Sequence, residues 1–156
     1  MAATITEQTV HSLDIAINEE IAAPIGVVFE TLLEQLGPLN EGPGARAMPM
    51  KLEPWPGGRW YRDLGNGAGH FWGSVQATKP PTLLEICGPL FMSHPAISNL
   101  QYRLTEENGI TRLIFTHRAM ALISHDPRIA AGWVHIEGGW DSLMDRIRVA
   151  AAGRVV

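Results

Sequence analysis

The sequence predicts an α+β fold in which a curved antiparallel sheet of about six to seven strands wraps around a long C-terminal helix. Three observations predict it. The chain opens with an alternating segment, the middle carries strand-like segments separated by turns, and the last segment changes to a helical period. Strands joined by tight turns pair antiparallel, and one amphipathic helix must then cover a face of their sheet.

The first two predicted elements are a strand and a helix. Residues 11–20 alternate apolar and polar side chains, which indicates a half-buried strand. A helix then runs from Pro24, since proline is tolerated at a first helical position, to the stop signal Gly37-Pro38. Residues 39–46 are rich in Gly and Pro and are predicted to form a loop with room for one short helical turn.

The central segments are predicted to be strands. Turn signals such as Asn66-Gly67 and Asn108-Gly109 separate them, because Asn-Gly suits the positive φ angles of hairpin turns. Segments that adjoin along the chain therefore pair antiparallel. The predicted strands cover residues 48–55, 59–64, 69–78, 83–87, 97–105 and 110–120.

The final segment is predicted to be an amphipathic helix of about six turns. Asp126-Pro127 starts it, with Asp as the capping residue and Pro at the first position. Gly138-Gly139 interrupts it and marks a kink or a close contact, since each glycine costs about 1 kcal/mol relative to alanine. The apolar stripe, at steps of three and four, comprises Ile129, Trp133, Ile136, Trp140, Leu143, Met144 and Ile147.

Composition restricts the class of protein. The 156 residues fit one domain (1–156, with a core over residues 10–152), and 46% hydrophobic with 18% charged residues is typical of a globular chain. A net charge of −4 and only two lysines argue against a nucleic-acid partner and a polybasic membrane patch. One cysteine, an N-terminus unlike a signal peptide and no membrane-length apolar run predict a cytoplasmic location.

Several short motifs occur in an order that is typical of one superfamily. They are Ile21-Ala22-Ala23-Pro24, Val27-Val28-Phe29, Pro56-Gly57-Gly58-Arg59-Trp60, Gly73-Ser74-Val75 before Pro80-Pro81, Thr111-Arg112-Leu113 before Thr116-His117, and Gly139-Trp140. In this order the chain resembles the Bet v 1-like helix-grip fold, also called the START or SRPBCC superfamily. Within it, the chain is similar to the bacterial proteins grouped with the activator of Hsp90 ATPase homologue (AHSA1-like).

The resemblance implies a deep cavity between the sheet and the C-terminal helix. It implies no single activity, because the superfamily includes lipid carriers, hormone receptors, polyketide cyclases and chaperone regulators. The short helices that usually follow the first helix are not evident in residues 37–44, where Gly and Pro are frequent.

Nine side chains are candidates for the wall of this cavity. On the last helix, Trp133, Trp140 and Met144 lie on the apolar stripe and serve either as ordinary core or as cavity wall. Trp60 and Arg62 share one face of their strand, so Arg62 either enters the cavity and needs an anionic partner or lies at the surface. The full set is Trp60, Arg62, Phe71, Tyr102, Phe115, His117, Trp133, Trp140 and Met144.

His117 and Tyr102 are polar groups on otherwise apolar strand faces. His117 is either a hydrogen-bonded core residue or the group that orients a ligand or moves a proton. Tyr102 is a second polar candidate on the adjacent strand. The remaining histidines lack the spacing of a zinc site, so neither a metal nor a cofactor is predicted, and no catalytic residue is assigned.

Three functions remain open. The first is binding of a small apolar or aromatic molecule in the cavity. The second is a cyclase or hydratase type of enzyme that uses the same cavity, with His117, Arg62 and Tyr102 positioning the substrate and moving protons. The third is a protein-interaction role such as regulation of an Hsp90-type chaperone. A homodimer is compatible with the sequence.

Overall fold

The structure, a computed structural model, describes residues 2–4 and 7–155. The strands in this described part are β1 His11–Ile21, β2 Glu41–Gly42, β3 Arg46–Ala47, β4 Lys51–Leu52, β5 Arg59–Gly65, β6 Ala68–Lys79, β7 Leu83–Gly88, β8 Ala96–Glu107 and β9 Ile110–Ala121. The α-helices are α1 Ile25–Leu36, α2 Pro127–Val134 and α3 Ile136–Ala152.

Seven strands form one antiparallel sheet in the order β1-β9-β8-β7-β6-β5-β4. The first strand pairs with the last, and every other pairing joins strands that follow each other along the chain. α1 and α3 pack against each other, and α3 also contacts β1, so both helices cover the inner face of the sheet. The α+β helix-grip fold predicted from the sequence is therefore confirmed.

The inner face of the sheet follows the predicted alternation. On β9, Leu113, Phe115 and His117 are buried, while Arg112 and Ile114, at the alternate positions, are exposed. The opposite strand β8 buries its own alternate set, since directly opposed residues of an antiparallel pair lie on the same face. The period of two in the sequence thus defines which side chains enter the core.

The predicted strand over residues 48–55 is wrong in its length. Only Lys51–Leu52 pair, with β5. After Leu52 the Glu53 N–H still donates to the carbonyl oxygen of Arg59 on β5, but Pro49, Pro54 and Pro56 have no N–H to donate, so the ladder stays short.

The Gly- and Pro-rich segment after α1 is a small hairpin. β2 pairs with β3 across a single turn of 3₁₀-helix, Pro43–Ala45, in which Gly44 adopts a φ of 71°. This turn agrees with the short helical turn that the prediction allowed within residues 39–46. This hairpin borders the space under the C-terminal helices.

The C-terminal helix is divided, although not at the predicted glycine pair. α2 ends at Val134, His135 caps it by donating its N–H to the carbonyl of Ala131, and α3 begins at Ile136. Gly138 and Gly139 lie inside α3. α2 lies on the loop after β7, where Gly132 is next to the ring of Phe91, and no residue of α2 is fully buried.

Candidate functional site

A cavity of about 1040 Å³ lies between the sheet and the C-terminal helices. One side is formed by β5, β6 and the loop that follows β7. The other sides are formed by the β2–β3 hairpin, the C-terminal end of α2 and α3 as far as Arg146. Exposed residues such as Ala45 and His135 belong to its lining, so the cavity opens to solvent on the hairpin side.

Aromatic rings in contact with one another form the sheet side of the cavity. The ring centroids of Trp60 and Trp72 are 5.0 Å apart at 79°, and those of Trp72 and Phe91 are 5.3 Å apart at 61°. Edge-to-face pairs of this kind are favourable beyond the area that they bury. The rings thus form a continuous apolar wall.

The polar edges of both indoles are satisfied within the protein. Trp60 Nε1 donates to the carbonyl oxygen of Leu36, at 2.7 Å, which ties β5 to the end of α1. Trp72 Nε1 donates to Nδ1 of His70 at 2.6 Å. Because both indole N–H groups are already hydrogen-bonded, the two rings present apolar faces to the cavity and need no polar group from a ligand.

A β-bulge places Trp72 in this wall. Trp60 pairs with Gly73 and Tyr61 pairs with Phe71, so Trp72 is an extra residue with no partner on β5. A bulge bends its strand and redirects a side chain. At the bulge, the backbone of β6 also passes close to that of β7. A Cβ on Gly73 would lie 2.7 Å from the carbonyl oxygen of Cys87, so this position needs a glycine.

The helix side of the cavity carries a charged residue, Arg146. Its side chain is only 17% exposed. Nε donates to Oε1 of Gln35 at 3.1 Å and Nη1 donates to Oγ of Ser142 at 3.0 Å. The nearest carboxylate oxygen, on Glu41, is 3.8 Å from Nε, which is too far for a hydrogen bond. Burial lowers the pKa of Arg146, and the charge of Glu41 opposes that shift.

Three of the nine predicted residues line the cavity. Trp60 and Trp140 are buried and face it from opposite sides. Phe71 is 48% exposed and lies at the rim. The sheet and the helix therefore each contribute one of the tryptophans that the sequence selected.

Arg62 and Trp133 lie outside the lining, which departs from the prediction. Arg62 shares the strand parity of Trp60, but its Nη1 donates to the carbonyl oxygen of Pro49 at 2.5 Å, so it caps the short strand β4. Trp133 on α2 is half-buried against the ring of His94, at 6.2 Å. Its side chain moves off the cavity stripe because the helix breaks two residues later.

Four other predicted residues, Tyr102, Phe115, His117 and Met144, form solid core rather than cavity wall. Phe115 lies between two rings, 4.8 Å from Tyr102 and 5.0 Å from Trp140. These four side chains thus fill the space that the sequence prediction assigned to a ligand.

His117 is a buried structural residue that orients Trp140. Its Nδ1 accepts from Nε1 of Trp140 at 3.0 Å, and its Nε2 is 2.9 Å from Oγ of Ser98. Because Nδ1 accepts, the proton of the neutral ring is on Nε2, which donates to Ser98. Burial lowers the pKa of His117 to about 4. The imidazole therefore stays neutral at pH 7 and supports the wall tryptophan from behind.

Tyr102 carries the main unmet polar group of this core. Its hydroxyl is buried and has no hydrogen-bond partner among the described residues. Burial raises the pKa of the phenol, so it remains protonated at neutral pH. An unpartnered hydroxyl of this kind costs free energy that the aromatic packing around it offsets.

Sequence reasoning missed Trp72, Phe91 and Arg146. Regular alternation places Trp72 on the face opposite Phe71, away from the cavity. Only the bulge turns the side chain of Trp72 towards the cavity. Phe91 lies in a loop, where no period applies. Arg146 had a usable signal, because it follows Leu143 by three residues and borders the apolar stripe of its helix.

The described residues include neither a cluster of metal ligands nor a membrane-spanning helix. Among the described residues, no group of three or more His, Cys, Asp or Glu side chains is placed to hold a metal ion. In the same part of the chain, no helix combines the length and the apolar character needed to cross a bilayer.

Solved structures of bacterial proteins share this fold. An uncharacterised protein from Rhizobium leguminosarum matches with a TM-score of 0.67 and 18% identity, over 94% of this chain and 98% of that one. Protein MLL2253 from Mesorhizobium loti matches at 0.62 and 16%, over 92% and 100%. CalU16 from Micromonospora echinospora matches at 0.59 and 20%, over 98% and 88%. At these identities the likeness shows the fold alone.

No curated protein matches the sequence at a significant level. The model of one protein family does match, over residues 22–152, and its description is "Activator of Hsp90 ATPase homolog 1-like protein". That range extends from the end of β1 to the end of α3, so it includes both walls of the cavity. The chain therefore belongs to the family of activator of Hsp90 ATPase homolog 1-like proteins.

Proposed function

We propose that this protein binds a small apolar or aromatic molecule in the cavity between the sheet and the C-terminal helices. The observation that carries the proposal is a preformed space of about 1040 Å³ with a wall of interlocked aromatic rings. Small-molecule sites are commonly concave spaces of roughly 300–1,000 Å³, lined by apolar and aromatic side chains with a few polar groups. Size and lining both agree with that description.

The rings of the wall are held in place before any ligand arrives. Trp60 is tied to Leu36, Trp72 to His70 and Trp140 to His117 by their indole N–H groups. A site whose side chains are already ordered loses less conformational entropy on binding. This preorganisation supports binding as the role of the cavity.

The test uses a neutral fluorescent probe, N-phenyl-1-naphthylamine, and a variant that fills the cavity. Gly139 lines the cavity on α3, and a Cβ added there meets no atom within 4 Å. We expect wild-type protein to enhance the fluorescence of the probe and Gly139→Phe to abolish the enhancement, because the new ring occupies the space.

Gly26→Phe is the matched control. Gly26 lies on α1, outside the cavity lining, and a Cβ added there also meets no atom within 4 Å. This variant should bind the probe as the wild type does. Wild-type protein that binds neither this probe nor other small aromatic molecules would refute the proposal.

The cyclase or hydratase alternative is less well supported. It depended on His117, Arg62 and Tyr102 reaching a substrate, and none of the three lines the cavity. The chaperone-regulator alternative is suggested by the name of the family alone.

A further inference from the structure

We propose that the ligand of this cavity carries a carboxylate, which the guanidinium of Arg146 binds. The molecule would then be amphipathic, with an apolar or aromatic body against the tryptophan wall and one anionic head at α3. This inference rests on the proposed function and names the chemical class of the ligand.

Arg146 is positioned for this role by two neighbours. Gln35, itself buried at the end of α1, accepts from Nε, and Ser142, one turn earlier on α3, accepts from Nη1. Both partners are neutral, so they orient the guanidinium without balancing its charge. Nη2 has no hydrogen-bond partner in the described part of the chain and remains available to a ligand.

The charge of Arg146 is incompletely compensated. Its side chain is largely buried, and a buried cation is costly unless an anion pairs with it. Glu41 forms a loose ion pair with Arg146, but at 3.8 Å from Nε its carboxylate makes no hydrogen bond with that nitrogen. A ligand carboxylate that forms hydrogen bonds with the guanidinium would supply what Glu41 does not.

The number of charges favours a carboxylate over a phosphate. Arg146 is the single Lys or Arg in the lining of the cavity, as far as the structure describes it, and Glu41 is an anion beside it. A single cation with an acidic side chain beside it can balance the one negative charge of a carboxylate better than the two negative charges of a phosphate. The planar guanidinium also matches the geometry of a carboxylate.

The apolar body of the ligand follows from the rest of the cavity. The wall of Trp60, Trp72 and Phe91 lies on the sheet side, while Arg146 lies on the helix side. A molecule that fills the space therefore touches aromatic rings at one end and the guanidinium at the other. Aryl carboxylates and medium-chain fatty acids both have this form.

The test compares 2-naphthoate with 2-naphthamide, which have the same ring and differ in the charge of the head group. Isothermal titration calorimetry at pH 8, where imidazoles are ordinarily neutral, gives the two dissociation constants. We expect wild-type protein to bind the acid roughly tenfold or more tightly than the amide, as one charge-assisted pair can supply. Arg146→Gln should bind both equally, and Arg146→Lys should keep part of the preference because lysine lacks the fork.

Two matched variants separate this effect from loss of structure. Glu41→Gln removes the competing carboxylate and should tighten binding of 2-naphthoate without affecting 2-naphthamide, a gain that a destabilised protein would not show. Glu137→Gln, an exposed change of the same type on α3, should leave both constants unchanged. Arg148→Gln, whose arginine pairs with Asp145 outside the lining, is the control for Arg146→Gln.

The outcomes distinguish the two proposals. Equal binding of acid and amide to wild-type protein would overturn the carboxylate site and leave the ligand-binding function intact. A preference for the acid that survives in Arg146→Gln would overturn the role of Arg146. Failure of both compounds and of N-phenyl-1-naphthylamine to bind would overturn the function itself, and the carboxylate site with it.

Discussion

The two halves of the inner sheet face use similar side chains for different purposes. Around β8, β9 and the middle of α3, aromatic rings pack into a solid core in which Tyr102 and Phe115 are fully buried. Around β5 and β6, Trp60 and Trp72 border a space of about 1040 Å³ instead. Aromatic residues occur in both halves, so the residue class by itself does not separate core from cavity.

Trp140 lies at the boundary between these halves. One side of its ring borders the cavity, while the other contacts Phe115 and His117, to which its N–H donates. A single side chain is therefore both the edge of the core and part of the proposed site. Changes on the core side of Trp140 should therefore affect stability, and changes on the cavity side should affect binding.

Phe115→Ala should give the largest effect. Truncation of a fully buried phenylalanine typically costs about 3–5 kcal/mol of unfolding free energy, because transfer and cavity costs add. Urea denaturation would measure the loss. The exposed Trp55→Ala is the control and should stay within about 0.5 kcal/mol of the wild type. A cost below about 1 kcal/mol for Phe115→Ala would contradict a solid core in this half.

His117 should make stability depend on pH on the acid side of neutrality. Its folded pKa, about 4, is below the ordinary value of 6.5, so the unfolded chain takes up a proton first as the pH falls. The stability that the neutral imidazole contributes is fully present above about pH 6.5 and is lost as the pH falls towards 4. The limiting loss is roughly 3 kcal/mol.

The His117→Gln variant isolates this term. Denaturation at pH 7 and pH 4.5 should show a smaller drop in the variant than in the wild type, since carboxylates titrate alike in both. The side chains hydrogen-bonded to His117, Ser98 and Trp140, do not titrate in this range. Equal drops in the two proteins would mean that His117 is protonated in the folded state.

Phe71→Ala should have the smallest effect on stability and should act on binding instead. The ring is 48% exposed at the rim, so its loss should change the unfolding free energy by no more than about 0.5 kcal/mol. We expect the dissociation constant of N-phenyl-1-naphthylamine to rise several-fold, because the ring covers part of the bound molecule. Unchanged probe binding would mean that Phe71 does not contact the bound molecule.

Much of the fold could be predicted because it depends on local periods. The alternation on β9 and the spacing on α3 state which side chains face inward, and the structure agrees with both. The break at His135 and the short β4 were not predicted. No period in the sequence marks the first, and the second follows from how far prolines limit pairing.

The candidate site was predictable only in part, for a related reason. Sequence patterns distinguish side chains that face inward from those that face outward. Residues of a cavity wall and residues of a packed core both face inward, so the patterns do not separate them. Trp60 and Trp140 were therefore selected together with Phe115 and Met144, although only the first two face the cavity. Trp72 was inaccessible to this reasoning because a bulge at one residue pair reversed its side.

The sequence by itself determined the general order of strands and helices, the inner faces of β9 and α3, and membership of a family through its motifs. Only the tertiary structure decided where the inner face is filled and where it is left open, and it brought Arg146 beside Gln35 from 111 positions away. The physical reason is that hydrophobic periods are properties of neighbouring residues. The volume between a sheet and a helix is instead the result of a bulge, a helix break and close glycine contacts acting together.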